Sequence, residues 1–140
     1  MYLLDTNILS EFFKGNAKIV AKIEILPDDT QFAISIVNVI EILKGRFEFL
    51  LKAANGEELI RADQWLREDL RRLDTIDRLP ITDAVAELFD RHRLSRKMKN
   101  IGRPDLLIAC VALAHGATLV TRNTKDFAGI PNLKLENWAA

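Results

Sequence analysis

Short apolar runs alternate with longer amphipathic segments along the chain. The runs Tyr2–Leu4, Phe32–Ile34 and Thr118–Thr121 predict buried strands, and Ile76–Leu79 and Leu133–Leu135 predict two weaker ones. The segments between them carry apolar residues at helical spacing and are bounded by capping residues, glycines or prolines. Strands that alternate with helices predict an α/β fold with a mostly parallel central sheet and helices on both faces.

Six helices are predicted from this spacing and its start and stop signals. Thr82 is a capping residue, and Gly15 and Gly116 are suited to the ends of helices. Residues 127–131 are predicted to form a turn. The predicted helices cover residues 8–13, 19–26, 36–51, 59–73, 82–92 and 105–114.

Length and composition restrict the class of protein. A chain of 140 residues predicts one domain, residues 1–140, because two separate cores would each be small. The apolar share of 49% argues against disorder, and no apolar run approaches the ~20 residues of a membrane span. The single cysteine, Cys110, lies in an apolar run and is expected to be a buried hydrophobe. No signal peptide is evident, so a cytoplasmic protein is expected.

The charges balance overall but not locally. Twenty basic and twenty acidic residues give a formal net charge of zero, which argues against nucleic-acid binding through bulk charge. Thirteen residues from Arg91 to Arg103 carry six cations and no acid. This run could form either a solvated helix face or a phosphate-binding patch. Arg93, Arg96 and Lys97 are expected to share a helix face and, with Arg103, to be candidate phosphate contacts.

Carboxylates and an amide recur near the expected carboxyl ends of strands, where α/β sheets bind ligands. Asp5 follows the first strand, Asn123 and Asp126 follow the strand ending at Thr121, and Asp105 opens an apolar helix. Each of these could be a helix or turn cap. Together with Glu41, which lies in another apolar helix and could equally face solvent, they would repel one another unless a cation neutralised them.

Oxygen ligands without a cysteine or histidine cluster favour Mg²⁺ or Mn²⁺ over Zn²⁺. The two histidines, His92 and His115, show no metal-ligand spacing, and the chain has no glycine-rich phosphate loop. A carboxylate-bound Mg²⁺ can lower the pKa of water and stabilise a leaving phosphate oxygen. The basic run directly precedes Asp105, and this adjacency favours a phosphodiester substrate.

Four segments resemble, in order, the motifs of PIN-domain ribonucleases. They are Leu3–Ser10, Ser35 with Glu41, Asp105–Ala109 followed by Ala112, and Leu119–Phe127, and the closing segment from Ile130 to Trp138 also matches. The length and motif style resemble VapC-type toxins of toxin–antitoxin pairs. The resemblance implies a three-layer α/β fold and a Mg²⁺- or Mn²⁺-dependent endoribonuclease. It also implies a homodimer inhibited by a VapB-type antitoxin.

The resemblance also implies roles for individual residues. Asp5, Glu41 and Asp105 map onto the acidic metal-binding positions. Asn123 stands where many relatives have aspartate, so either Asn123 or Asp126 completes the pocket. Polar side chains beside these positions are expected to support the site, with capping roles equally open: Thr6, Asn7, Ser35 and Thr121.

Three other functions remain open. The chain could be a PIN-domain nuclease of RNA maturation, which an upstream antitoxin gene would argue against. It could be a catalytically decayed RNA- or protein-binding module, which would bind no Mn²⁺. A phosphatase or a receiver-type regulator is a weaker alternative. Four phenylalanines are expected mostly in the core, with an interface role open for some: Phe12, Phe13, Phe47 and Phe49.

Overall fold

A five-stranded, all-parallel sheet forms the centre of the protein, which a computed structural model describes over residues 1–140. The strand order is β3-β2-β1-β4-β5, so the order along the chain reverses at β1. The strands are β1 (Tyr2–Leu4), β2 (Phe32–Ser35), β3 (Asp77–Leu79), β4 (Thr118–Val120) and β5 (Leu135–Glu136). All five predicted strands are confirmed, although the last begins two residues later than expected.

Seven helices and one 3-10 turn connect the strands. The six predicted helices are confirmed, and α7 is an additional single turn before the predicted turn. The helices are α1 (Thr6–Phe13), α2 (Ala17–Glu24), α3 (Ile36–Leu51), α4 (Gly56–Leu73), α5 (Asp83–Arg93), α6 (Arg103–Ala114) and α7 (Thr124–Phe127), and the 3-10 turn is Arg96–Met98.

Consecutive residues of the strands point to opposite faces of the sheet and supply two cores. Leu3 and Ala33 face a core formed chiefly with α5, α6 and the buried Phe127. Their neighbours Leu4 and Ile34 face a second core formed with helices from α1 to α4. The three-layer α/β architecture expected from the sequence is therefore confirmed.

Helix α6 is buried along most of its length, which explains its continuous apolar sequence. Cys110 is completely buried there, and burial raises the pKa of its thiol to about 11. The expectation that Cys110 is a structural hydrophobe is confirmed. The helix begins at Arg103 rather than Asp105, because Pro104 is tolerated in a first helical turn. No helix of the protein is long and apolar enough to span a membrane.

One expectation about helix faces is wrong. Arg93 does not share a helix with Arg96 and Lys97, because α5 ends at Arg93 and the backbone is extended at Ser95 before the 3-10 turn begins. That change of direction lets Met98, at the end of the turn, join the core.

Two of the four phenylalanines are also placed differently from the prediction. Phe12 and Phe13 pack half-buried on the second core, but Phe47 and Phe49 are 49% and 42% exposed. Helix α3 packs chiefly on α4, and no further layer of the protein covers the part of this helix pair that carries the two exposed phenylalanines.

Candidate active site

The candidate site lies at the carboxyl ends of β1 and β4, where the strand order reverses and parallel sheets open a crevice. Asp5 follows β1, and its backbone N–H donates to the carbonyl of Val120 at 2.9 Å. Asp5 is only 5% exposed. The fold therefore holds one buried acid at the bottom of the crevice.

Two hydrogen bonds fix the Asp5 carboxylate. The backbone N–H of Thr6 donates to Oδ1 at 2.8 Å, and the hydroxyl of the fully buried Thr121 donates to Oδ2 at 2.7 Å. The backbone N–H of Asn123 donates to the same hydroxyl oxygen at 3.1 Å. Asn7 accepts a hydrogen bond from the backbone N–H of Arg122 at 3.3 Å, which ties α1 to the loop after β4.

A second polar chain orients Glu41. The amide of Asn38 donates to the Thr6 hydroxyl oxygen at 3.0 Å, and that hydroxyl donates to Glu41 Oε1 at 3.0 Å. The Asn38 carbonyl oxygen accepts from both the backbone N–H and the hydroxyl of Ser35, at 2.8 and 2.7 Å. All four predicted polar residues thus lie around the site. The hydrogen bonds through Asn38 were not predicted from the sequence.

Asn38 had a detectable signal in the sequence. It is a polar residue inside the apolar run from Ile36 to Ile40 and stands three residues after Ser35, the spacing of a capping box. The structure shows that capping box and buries Asn38 completely.

Replacing Asn38 with alanine is expected to lower the free energy of unfolding by about 2 kcal/mol, because the buried Ser35 backbone N–H and hydroxyl lose their acceptor. Urea unfolding measures this change. The exposed Asn100 provides the control substitution N100A, for which a change below about 0.5 kcal/mol is expected. Equal stability of N38A and wild type would contradict the role of this amide.

The carboxylates at the crevice are close enough to influence one another. Burial raises the pKa of Asp105, and the charges of Asp5 and Asp126 raise it further. Burial likewise raises the pKa of Glu41, with Asp5 and Asp105 adding to the effect and the Thr6 hydroxyl opposing it. The four predicted acids therefore share one electrostatic environment in which no cation compensates Asp105.

The donor set fits a partly hydrated Mg²⁺ or Mn²⁺. All side-chain donors are oxygens, and Asp105 has neither a hydrogen-bond donor nor a cationic partner to satisfy it. No three histidine, cysteine, aspartate or glutamate side chains lie close enough to enclose one ion. Mg²⁺ is commonly bound through one or two carboxylates while keeping several waters, so the geometry suits one or two direct ligands. The exposed Asn123 side chain makes no hydrogen bond and is free to contribute a carbonyl oxygen.

Asp105→Asn is expected to raise the melting temperature of the metal-free protein at neutral pH by about 1–3 °C, because it removes charge repulsion. Since the pKa of Asp105 is raised in the folded state, the folded protein keeps this proton to higher pH than the unfolded chain. The stability contributed by the protonated form is present at low pH and is lost as the pH rises through the folded-state pKa. The advantage of D105N over wild type should therefore shrink as the solution is acidified.

Calorimetric melting across this pH range measures the effect. Asp28→Asn, at an exposed aspartate before β2, is the control and should show no such pH-dependent gain. A D105N protein less stable than wild type at neutral pH would contradict the repulsion inferred among these acids.

The basic run lies beside the start of α6. Arg93, Arg96, Lys99 and Arg103 line one open cavity there, and Arg103 lies over the ring of Phe89 at 5.8 Å. Arg93 also pairs with Asp90 at 3.2 Å. Exposed cations and Asp105 thus occupy the same end of α6, although the cations come from three separate elements.

Comparison with known proteins identifies the family. The PIN domain family matches residues 2–133. The chain is 39% identical to Ribonuclease VapC2 of Rickettsia felis and 32% identical to Ribonuclease VapC1 of Haemophilus influenzae, covering 99% of this chain and 98% of each relative.

Solved structures of similar chains agree with this assignment. The crystal structure of VapBC2 from Rickettsia felis, bound to a DNA fragment from its promoter, contains a chain with a TM-score of 0.75 and 31% identity, covering 98% of both chains. VapBC-1 from nontypeable Haemophilus influenzae gives a TM-score of 0.73 at 27% identity, with 99% and 98% coverage. The chain therefore belongs to the PIN-domain family and, within it, to the VapC ribonucleases.

Proposed function

We propose that the protein is a Mg²⁺- or Mn²⁺-dependent endoribonuclease toxin, inhibited by a VapB-type antitoxin. The observation that carries the proposal is the convergence of Asp5, Glu41, Asp105 and Asp126 at one crevice without a compensating cation. Uncompensated carboxylates lower the stability of the folded protein, so their presence together is better explained by a ligand than by packing.

The acids have different roles in this proposal. Asp5 is fixed by two hydrogen bonds and Asp105 is unpaired, which makes them the metal ligands. Glu41, oriented through the Thr6 hydroxyl, would hold a reacting water or a second ion. Asn123 and Asp126 would complete the pocket. When bound, the metal ion supplies charge neutralisation for the phosphate and a lowered pKa for water.

The cavity beside α6 provides the surface for the phosphate backbone. Its arginines provide positive charges that attract the RNA phosphates, which the acidic crevice would repel. Arg103 lies in the same first helical turn as Asp105. Arg93, Arg96 and Arg103 are the proposed phosphate contacts, with the exposed Lys97 adjacent. Binding should weaken as salt concentration rises, because each phosphate contact releases counterions.

Protein partners are proposed from the VapBC complexes formed by the similar chains. An exposed apolar stripe on α3 offers a surface for protein association, since its residues repeat at helical spacing: Ile36, Ile40, Phe47 and Leu51.

We expect light scattering of the purified protein to give twice the 15.9 kDa chain mass. A small open reading frame for an antitoxin next to the gene would favour the toxin role over RNA maturation.

The experiment that tests the nuclease function is RNA cleavage by the purified protein with Mg²⁺ and with EDTA. Cleavage only with the metal supports the proposal. Cleavage that continues in EDTA would contradict metal dependence, and its absence under both conditions would favour a decayed binding module.

A further inference from the structure

A cavity of about 440 Å³ opens beside the acidic crevice, between α1, α3 and α4. Thr6 and Glu41, which are hydrogen-bonded to each other at the crevice, also line this cavity. Its wall continues along α3 past Gly45 to Phe49. The cavity is therefore continuous with the candidate active site and distinct from the basic cavity beside α6.

Planar groups form part of its wall, those of Phe13, Arg46, Phe49 and Arg72. The guanidinium carbon of Arg72 lies 5.3 Å from the ring centroid of Phe13, and that of Arg46 lies 5.3 Å from the ring of Trp65. Phe49 packs on Trp65 with 5.2 Å between the ring centroids. Aromatic rings and guanidinium planes are the surfaces on which unstacked nucleobases stack.

Polar atoms accompany these planes. Ser10 and Glu41 line the cavity, and their hydroxyl and carboxylate can hydrogen-bond to the edge of a base. Lys14 lies at the same wall; its side chain is 74% exposed, its ammonium pairs with Glu11 at 3.6 Å, and it can contact a phosphate. Only three of the eleven lining residues are hydrophobic. An amphipathic peptide helix needs an apolar groove, so the lining favours a nucleotide over such a helix.

We propose that this cavity binds the base of a nucleotide next to the scissile phosphate, while the rest of the RNA strand crosses the crevice toward the basic cavity beside α6. The inference rests on the proposed ribonuclease function and adds a base-binding subsite to it. Such a site would hold an unstacked base of single-stranded RNA.

Gly45 allows the subsite to be blocked without disturbing the fold. A Cβ atom at this position would meet no atom within 4 Å, so a larger side chain would project into the cavity. Glycine also weakens a helix interior, so Gly45→Phe should not reduce helix stability. Gly56, the first residue of α4, has the same open surroundings outside the cavity and gives the matched control Gly56→Phe.

The test measures KM and kcat for a short single-stranded RNA cut by the wild type, and for versions with one abasic nucleotide at each position beside the cleavage site. In the wild type, one abasic position should raise KM about 5- to 100-fold, the range expected for one stacked base. Gly45→Phe should raise KM for the intact RNA similarly and lose its response to that abasic position. Gly56→Phe should behave as the wild type.

The alternative results are distinguishable. If the wild type cleaves all abasic versions equally well, or Gly45→Phe keeps the wild-type KM and abasic response, the subsite is wrong while the nuclease function stands. If Gly45→Phe cleaves normally but escapes inhibition by an antitoxin, the cavity binds protein instead and the inference is overturned. If the wild type cleaves no RNA with Mg²⁺, the proposed function fails and the subsite with it.

Discussion

Asp5→Asn is expected to lower the rate of Mg²⁺-dependent RNA cleavage by about 10²–10³-fold, as for removal of one pre-organised electrostatic group. Asparagine keeps the size of the side chain and an oxygen that can accept from the Thr6 backbone N–H. It removes the negative charge and places an amide donor against the Thr121 hydroxyl, which now donates to Asp5. Because Asp5 is buried, no nearby acid can replace its carboxylate at the bottom of the crevice.

Cleavage rates at saturating RNA and Mg²⁺ measure this loss, and thermal unfolding separates it from misfolding. Asp28→Asn makes the same chemical change at an exposed aspartate outside the crevice and should cleave at the wild-type rate. A folded D5N protein that retains wild-type cleavage would show that the catalytic assignment is wrong.

Arg46→Met is expected to lower the free energy of unfolding by about 3 kcal/mol, more than Asp69→Ala does. Arg46 Nε donates to Asp69 Oδ2, and the side chain of Asp69 is 6% exposed whereas that of Arg46 is 36% exposed. Without Arg46, the Asp69 carboxylate remains buried and unpaired. Without Asp69, the guanidinium can turn toward water and keep its contact with Trp65, so a loss of about 1–2 kcal/mol is expected.

Urea unfolding of the two variants measures this asymmetry. Arg61→Met removes one partner of an exposed pair with Glu57 on α4 and should change stability by less than about 1 kcal/mol. Equal losses for R46M and D69A, or a loss for R46M as small as that for R61M, would contradict the burial argument.

Periodicity was sufficient to predict the layers of the fold but not every boundary. The strands β1, β2 and β4 follow from apolar runs because both faces of a central parallel strand are buried, as the opposite orientations of Leu3 and Leu4 show. The break after Arg93 was not predictable from a charge run, because exposed cations carry no periodic signal. Burial of Met98 determines where that segment turns, and this contact becomes visible only in three dimensions.

The candidate site was predictable where side chains lie at strand ends. Asp5 and Thr121 follow adjacent parallel strands, so their proximity could be expected from strand position alone. The hydrogen-bonded link from Asn38 through Thr6 to Glu41 could not be expected from strand position, because it depends on how α3 packs against α1. The cavity between α1, α3 and α4 likewise depends on helix packing and had no local sequence signal.

Calorimetric titration of Mn²⁺ into the metal-free protein tests most directly the central claim, that these carboxylates form one cation-binding site. Saturable binding by the wild type, weakened at least about tenfold in both D5N and D105N but unchanged in D28N, is the predicted result. If the wild type binds no Mn²⁺, or if D5N and D105N bind it as tightly as the wild type, the acidic crevice is not the metal site and the account is contradicted.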